Sequence, residues 1–325
     1  MNFNANNIKV IPVIVPVDGG LKSLNFYIVN HGQSLSLIDA GLNNDACWDA
    51  LNSTLLKHGW SMNDLTEIIL THHHYDHIGI VNRIVANHPI PVYASPLSLP
   101  RLQRKQDFLE MRIEFYARLY EEMGCGDVGR QRVEFLQKAI ETNKDQAINA
   151  EIRKITGKQL FHFDVLEYPG HAPDQLGFYD RQVKALFAGD LLIQHISSNA
   201  LVEPDYFGTR LPTLSQHVQS LKQCRSLELE LVYSGHGELI RQPYELIEKR
   251  LAGISEKSER FLSLIQSGIL TANELAQTYY KKRYIQLFSL VMSEIIGHLD
   301  YLEVNGKVEK EWVHGVWHYF AKNTK

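Results

Sequence analysis

Thr71-His72-His73-His74-Tyr75-Asp76-His77-Ile78-Gly79 follows directly on the apolar run Glu67-Ile68-Ile69-Leu70. The change from β-branched residues to a polar, glycine-closed stretch reads as a strand leaving a sheet and a helix beginning, the place where sites gather in α/β folds. Alternate residues of an extended or turning backbone point the same way. His72 and His74 can therefore converge on one ion while Asp76 and His77 turn towards a neighbouring one. Imidazole mixed with carboxylate suits a borderline-soft divalent metal.

Four ligands in one loop cannot complete two sites, so further His or Asp residues are expected just beyond other strands. The sequence supplies them: His171 in the turn EYPGHAPDQ, Asp190 at the end of LFAGD, and His236 in YSGHG. Asp190 can bridge two cations through its two oxygens, while neutral imidazoles fill the other positions and leave an opening for solvent. As N-caps or turn residues each would be unremarkable, but that reading does not explain their joint placement at strand ends. His73 should point away from its neighbours, and His195 reads as a surface-loop residue. Asp39 in LIDAG either steadies a ligand imidazole or caps the following helix.

Around these residues, the chain up to about residue 96 alternates short β-rich runs with helices, one of them from about Asp45 to His58. Strands return near 160–190, and then come a helix from about Thr213 to Cys224 and the strand LELVYSG. Hairpin-spaced strands argue for mixed rather than uniformly parallel sheets.

The HxHxDH motif with the later EYPGH, AGD and SGHG turns, over roughly residues 8–242, resembles the metallo-β-lactamase fold superfamily. The resemblance implies a four-layer αββα sandwich with His72, His74 and His171 on one metal, Asp76, His77 and His236 on the second, and Asp190 bridging them. It also implies a metal-bridging hydroxide as nucleophile, with Asp76 passing a proton to the leaving group. Two divalent ions, zinc first with iron or manganese as alternatives, are the expected cofactors. Flavodiiron-like members place Glu where His74 stands, which favours zinc hydrolysis.

Residues 97–157 read as a helical insertion into a catalytic domain spanning 1–242. Phe108, Met111, Phe115 and Leu119 form one stripe, and Leu109, Ile113, Tyr116 and Tyr120 a second beside it. Such a face either packs on a core or dimer mate or covers a substrate cleft. Arg101, Arg104, Lys105 and Arg112 at its start would attract an anionic substrate, such as an acyl-CoA or RNA. Residues 243–325 read as a winged-helix-like module: a Thr271/Glu274 capping box, a helix from about Ile285 to Val304, and a hairpin around His314-Gly315. This arrangement is similar to lactamase-beta-like proteins, some of which are endoribonucleases.

Against a nucleic-acid role stand the net charge of −4 and a would-be recognition helix with no Lys or Arg. A small, partly apolar ester, thioester or lactone is the favoured substrate, with phosphodiester or RNA cleavage the rival. His298, His314 and His318 lie outside the expected chemistry. Three scattered cysteines, an N-terminus without a basic export signal and the absence of a membrane-length apolar run point to a cytoplasmic protein.

Overall fold

The computed structural model describes residues 8–322; residues 1–7, part of the stretch read for an export signal, lie outside the described residues. A first sheet runs β1 (Lys9–Pro16), β2 (Ser23–Asn30), β3 (Leu35–Ile38), β4 (Glu67–Ile69), β5 (Val92–Ala94), β6 (Ile152–Lys154). Its first three strands pair antiparallel, and β3 to β6 run parallel. The edge position of β1 explains how Pro12 and Pro16 fit a strand, since an edge can omit ladder donors. A second sheet has the order β11-β10-β9-β8-β7, from β7 (Gln159–Leu160), β8 (Phe163–Glu167), β9 (Leu176–Asp180), β10 (Ala185–Gly189) and β11 (Leu231–Ser234). Only β10 and β11 are parallel in it, so both sheets are mixed, as the spacing of the strands predicts.

Side-chain alternation then dictates the layers. On β2, Tyr27 and Val29 face the second sheet and meet Phe163, Phe178 and Phe187, while Leu24, Phe26 and Ile28 face outward. The outward set packs on Leu51 and Leu55 of α1 (Asp45–Lys57) and on residues of α3 (Val81–Asn87), which follows the short α2 (Tyr75–Ile78). Beyond the second sheet, Leu186 and Val232 pack on α7 (Thr213–Arg225) and on the first half of α8 (Pro243–Gln266). The result is the αββα sandwich.

Between the sheets' sequences lie α4 (Leu99–Leu102), α5 (Gln106–Glu122) and α6 (Gly126–Thr142). The stretch 97–157 is helical as expected except at its end, where Ile152–Lys154 form β6; three residues, two of them exposed, carry no alternation to read. Phe115, Leu119 and Tyr120 of α5 are buried against a third core with Phe261, Phe288 and Ile295. This core holds the second half of α8 together with α9 (Ala272–Tyr280), α10 (Lys282–Gln286) and α11 (Phe288–Val304). The Thr271/Glu274 capping box is present. The final hairpin, β12 (Val308–Val313) with β13 (Val316–Ala321), turns at His314 and Gly315, both with positive φ as a tight two-residue turn requires. No helix among the described residues is long and apolar enough to cross a membrane.

Candidate metal centre

The loop after β4 delivers His72 and His74, and the first turn of α2 delivers Asp76 and His77. His171 follows β8, Asp190 ends β10 and His236 follows β11. All seven meet at one end of the sandwich, in three overlapping groups: His72/His74/His171, His72/His77/Asp190 and Asp76/His77/His236, each with its ligand atoms within 4.8 Å of one another.

His74 Nδ1 lies 3.0 Å from His72 Nε2 and 2.9 Å from His171 Nε2. A nitrogen with one proton can donate to only one of them, so hydrogen bonding does not account for the triangle. It does match the edge of a tetrahedral site, roughly 3.3 Å for metal–nitrogen bonds of about 2.0–2.1 Å. Asp190 faces both sides: Oδ1 is 3.3 Å from His77 Nε2, and Oδ2 is 3.4 Å from His171 Nε2 and 3.2 Å from His236 Nε2. Asp76 Oδ2 is 3.5 Å from His236 Nε2.

The ring protons are held away from the centre. His171 Nδ1 sits 2.9 Å from the Asn199 carbonyl, and His236 Nδ1 2.9 Å from the Ser23 carbonyl. A carbonyl only accepts, so each Nδ1 carries the proton and each Nε2 presents a bare lone pair inward. His77 Nδ1 donates to Asp39 Oδ2 over 2.8 Å. Thr71 donates its backbone N–H and its hydroxyl to the same carboxylate, and that hydroxyl accepts from His72 Nδ1 at 3.0 Å. Asp39 therefore holds the imidazole of His77, a candidate ligand, the first of the two roles open to it from sequence.

Burial, reinforced by neighbouring imidazoles, holds His72 and His74 well below the usual histidine range, so both are neutral at pH 7. Burial likewise lowers His171, against the pull of Asp190. At His77 burial also pushes down, but the carboxylates of Asp190 and Asp39 outweigh it and hold the ring well above its ordinary value. The buried atoms His77 Nε2, Asp190 Oδ1 and His236 Nε2 have no hydrogen-bond partner among the described residues. Unsatisfied buried polar atoms are rare and costly. Three of them converging with complementary donor chemistry fit a pair of divalent cations. Gly235 makes the approach possible, since a Cβ there would lie 2.5 Å from Asp190 Oδ1 and 2.6 Å from His77 Cε1.

The metallo-beta-lactamase superfamily model matches residues 19–236. The chain belongs to that superfamily. It is 30% identical over 306 residues to the probable metallo-hydrolase YqjP of Bacillus subtilis (strain 168), covering 93% of this chain and 95% of the relative. A second relative, the atrochrysone carboxyl ACP thioesterase of Aspergillus fumigatus, is 23% identical over 263 residues, 79% of this chain and 66% of the relative. In fold, the chain matches the metallo-beta-lactamase family protein TTHA1429 from Thermus thermophilus with a TM-score of 0.78 at 24% identity, over 96% of this chain and 98% of that one. The superfamily uses divalent metals, and this member is a hydrolase of it.

Other sequence expectations meet different ends. His73 turns away from the centre and pairs with the buried Asp174, Nδ1 to Oδ1 at 2.6 Å. His195 bonds the Gly20 carbonyl at 2.8 Å rather than lining the cluster. Of the basic group at the start of the insertion, Lys105 is exposed, but the three arginines are engaged within the protein. Arg101 (2.8 Å) and Arg112 both bond the buried Glu203, and Arg104 donates to the carbonyls of Ala139 and Ile140. Tyr116 joins through its hydroxyl, 3.0 Å from Glu203 Oε1. A further clamp had no sequence signal: Asn25 Nδ2 donates to the carbonyls of Ser234 and Gly237, and Ser23 Oγ accepts from the Gly237 N–H, fixing the loop that carries His236.

Proposed function

We propose that this chain is a dinuclear, zinc-dependent hydrolase of small carboxyl esters, lactones and above all thioesters. In this reading His72, His74 and His171 hold one ion, Asp76, His77 and His236 the other, and Asp190 spans both. The observation that carries the reading is the convergence of imidazole nitrogens and carboxylate oxygens, with the Nδ1 atoms of His72, His77, His171 and His236 held outward by Thr71, Asp39, Asn199 and Ser23. Two divalent ions held there would acidify a water and polarise the acyl carbonyl.

The chain's own groups do the rest. Hydrolysis puts the oxygen of water on the acyl carbon, breaks the C–S or C–O bond and returns a proton to the leaving atom. Asp76, on the rim of the cluster and partly open to solvent, is placed to carry that proton. Asp39, Asn199 and Ser23 keep the imidazoles oriented while this happens.

The thioester preference is supported by the relative named a thioesterase and by another, 26% identical over 131 residues, named hydroxyacylglutathione hydrolase GloC of Haemophilus influenzae. Nucleic-acid cleavage has less support. Helix α11, the expected groove-reading helix, is buried along Val291, Met292, Ile295, Ile296, Leu299 and Leu302. We read 1–242, with its insertion 97–157, as the catalytic part and 243–325 as a winged-helix-like module whose helices share a core with α5 of the insertion. A reducing, cytoplasmic setting accords with three free, buried cysteines.

The test is a hydrolysis panel on zinc-loaded protein: acyl thioesters, lactones, bis-nitrophenyl phosphate and single-stranded RNA. Thioester turnover supports the reading. Turnover of the last two alone overturns it.

A further inference from the structure

Of the candidate ligand imidazoles, four have an outward nitrogen held by a partner: His72 by the Thr71 hydroxyl, His77 by Asp39, His171 by the Asn199 carbonyl and His236 by the Ser23 carbonyl. His74 is the exception. Its inward atom is Nδ1, 3.0 Å from His72 Nε2 and 2.9 Å from His171 Nε2, and among the described residues its ring makes no other hydrogen bond. Nor does its side chain cap α2, although His74 stands immediately before that helix. A metal-binding imidazole is ordinarily oriented through its other nitrogen, so His74 has to be held by different means.

The means lie next to it in sequence. His73 turns the opposite way from its neighbours, and its Nδ1 is 2.6 Å from Asp174 Oδ1. His73 belongs to the loop after β4, and Asp174 to the loop after β8 that also carries His171. Contacts step along these two loops in opposite directions. The Leu176 N–H donates to the Thr71 carbonyl at 2.8 Å, His73 meets Asp174, and His74 meets His171. The first two rungs are bonds within the protein. The third is the edge that an ion would span. The His73 ring also packs edgewise on that of His74, with centroids 4.7 Å apart at 68°.

Stability alone does not account for the pair. Asp174 is 1% exposed, and its Oδ2 is buried with no hydrogen-bond partner among the described residues. Apolar side chains of similar volume often replace such buried polar pairs without loss of stability. A carboxylate at this position therefore needs a reason beyond packing, and its placement between two ligand loops supplies one.

We propose that His73 and Asp174 are a positioning pair for the first ion: their hydrogen bond sets the spacing of the two loops and through it the place of His74, the candidate ligand with no orienting partner of its own. The proposal rests on the two-ion reading above and divides the supporting groups between the ions. Asp39 and Ser23 serve the second ion, through His77 and His236. Asn199 and the His73–Asp174 pair serve the first, through His171 and His74. Loss of the pair acts on one ion and spares the other.

The experiment withdraws zinc from the loaded protein with increasing chromophoric chelator, which resolves two affinities, and follows the histidine ring nitrogens by long-range ¹H–¹⁵N NMR. Asp174→Ala removes the acceptor, while Asp174→Asn keeps an oxygen for the His73 Nδ1–H. The paired change His73→Phe with Asp174→Leu retains a ring beside His74 and leaves no buried polar group without its partner, so it carries the test if Asp174→Ala does not fold. Asp174→Ala and the paired variant should each lose about 10- to 100-fold in affinity for one ion, the range found for groups that orient metal ligands, with the other affinity unchanged. The His74 Nδ1 resonance should lose its zinc-bound shift before the His77 and His236 Nε2 resonances do. Asp174→Asn should bind both ions as the wild type does.

Wild-type affinity for both ions in the paired variant overturns the proposal. So does an equal loss at both ions, the result of a general loosening of the fold. Failure of Asp174→Asn to retain the ion that Asp174→Ala loses overturns it too, because the hydrogen bond is then not the agent. Each of these results leaves the two-ion reading standing. Wild-type protein that holds one zinc ion per chain overturns that reading, and the proposal with it.

Discussion

Replacing Asp39 by Asn should release metal without disturbing the fold. Asp39 sits at φ +59°, a left-handed conformation that Asn adopts at least as readily as Asp, so the backbone keeps its course. Its carboxylate takes three donors: Thr71 N–H at 2.8 Å, Thr71 Oγ–H at 2.8 Å and His77 Nδ1–H at 2.8 Å. An amide offers one acceptor atom. The Thr71 N–H cannot change its role, so the amide oxygen stays on Oδ1 and the NH₂ group falls where Oδ2 now receives His77. His77 then either opposes one donor with another or moves its proton to Nε2, the atom aimed at Asp190 and, in the proposed reading, at the second ion. Changes to groups that orient ligand histidines cost about 10- to 100-fold in metal affinity, equivalent to about 1.4–2.7 kcal/mol. A competition titration with a chromophoric zinc chelator reads the loss, and long-range ¹H–¹⁵N NMR reads the His77 tautomer. Two zinc ions bound at wild-type affinity, with His77 still protonated at Nδ1, would refute the reasoning.

Asp190→Ala should lower metal content and hydrolysis together, and full activity with one ion per chain, measured by atomic emission, contradicts the dinuclear arrangement. Glu203→Gln leaves two guanidiniums beside a neutral group in a buried site, a loss of about 3–5 kcal/mol in urea unfolding; a loss below about 1 kcal/mol would show that the cluster does not tie the insertion down. Burial lowers His298 to about 4, so in the window from about 6.5 to 4 the unfolded chain binds a proton that the folded chain refuses. Its contribution is therefore intact above pH 6.5 and fades as pH falls, by up to about 3 kcal/mol. His298→Gln should flatten that part of the stability profile, and denaturant midpoints at pH 5 and pH 7 that shift as in the wild type would count against it.

The convergence of the seven candidate ligands was legible because its logic is local: each stands just past an apolar strand, and a strand end is visible in the sequence. Asp39 was half legible, since LIDAG announces a turn carboxylate but not what it will hold. Contacts between distant segments left no trace. The partner of His73 is Asp174, and the loop bearing His236 is fastened by Ser23 and Asn25, more than two hundred residues earlier in the chain. The basic residues at 101–112 misled for the same reason: they look like an attractor for anions until Glu203, 91 residues beyond Arg112, is folded against them. The double apolar stripe on α5 did signal burial, but only the tertiary structure says that it packs on a core contributed by α8, α9 and α11.

Helix α8 carries a mechanical consequence. Its 24 residues extend about 36 Å at 1.5 Å per residue. Leu246 and Ile247 are embedded in the core behind the second sheet, and Phe261 and Ile265 in the core built with α9 and α11. A rigid strut anchored in both bodies leaves no pivot between them. A displacement of the core around Phe261 is thus carried along α8 to the core behind the second sheet, whose strands β8, β10 and β11 lead into His171, Asp190 and His236.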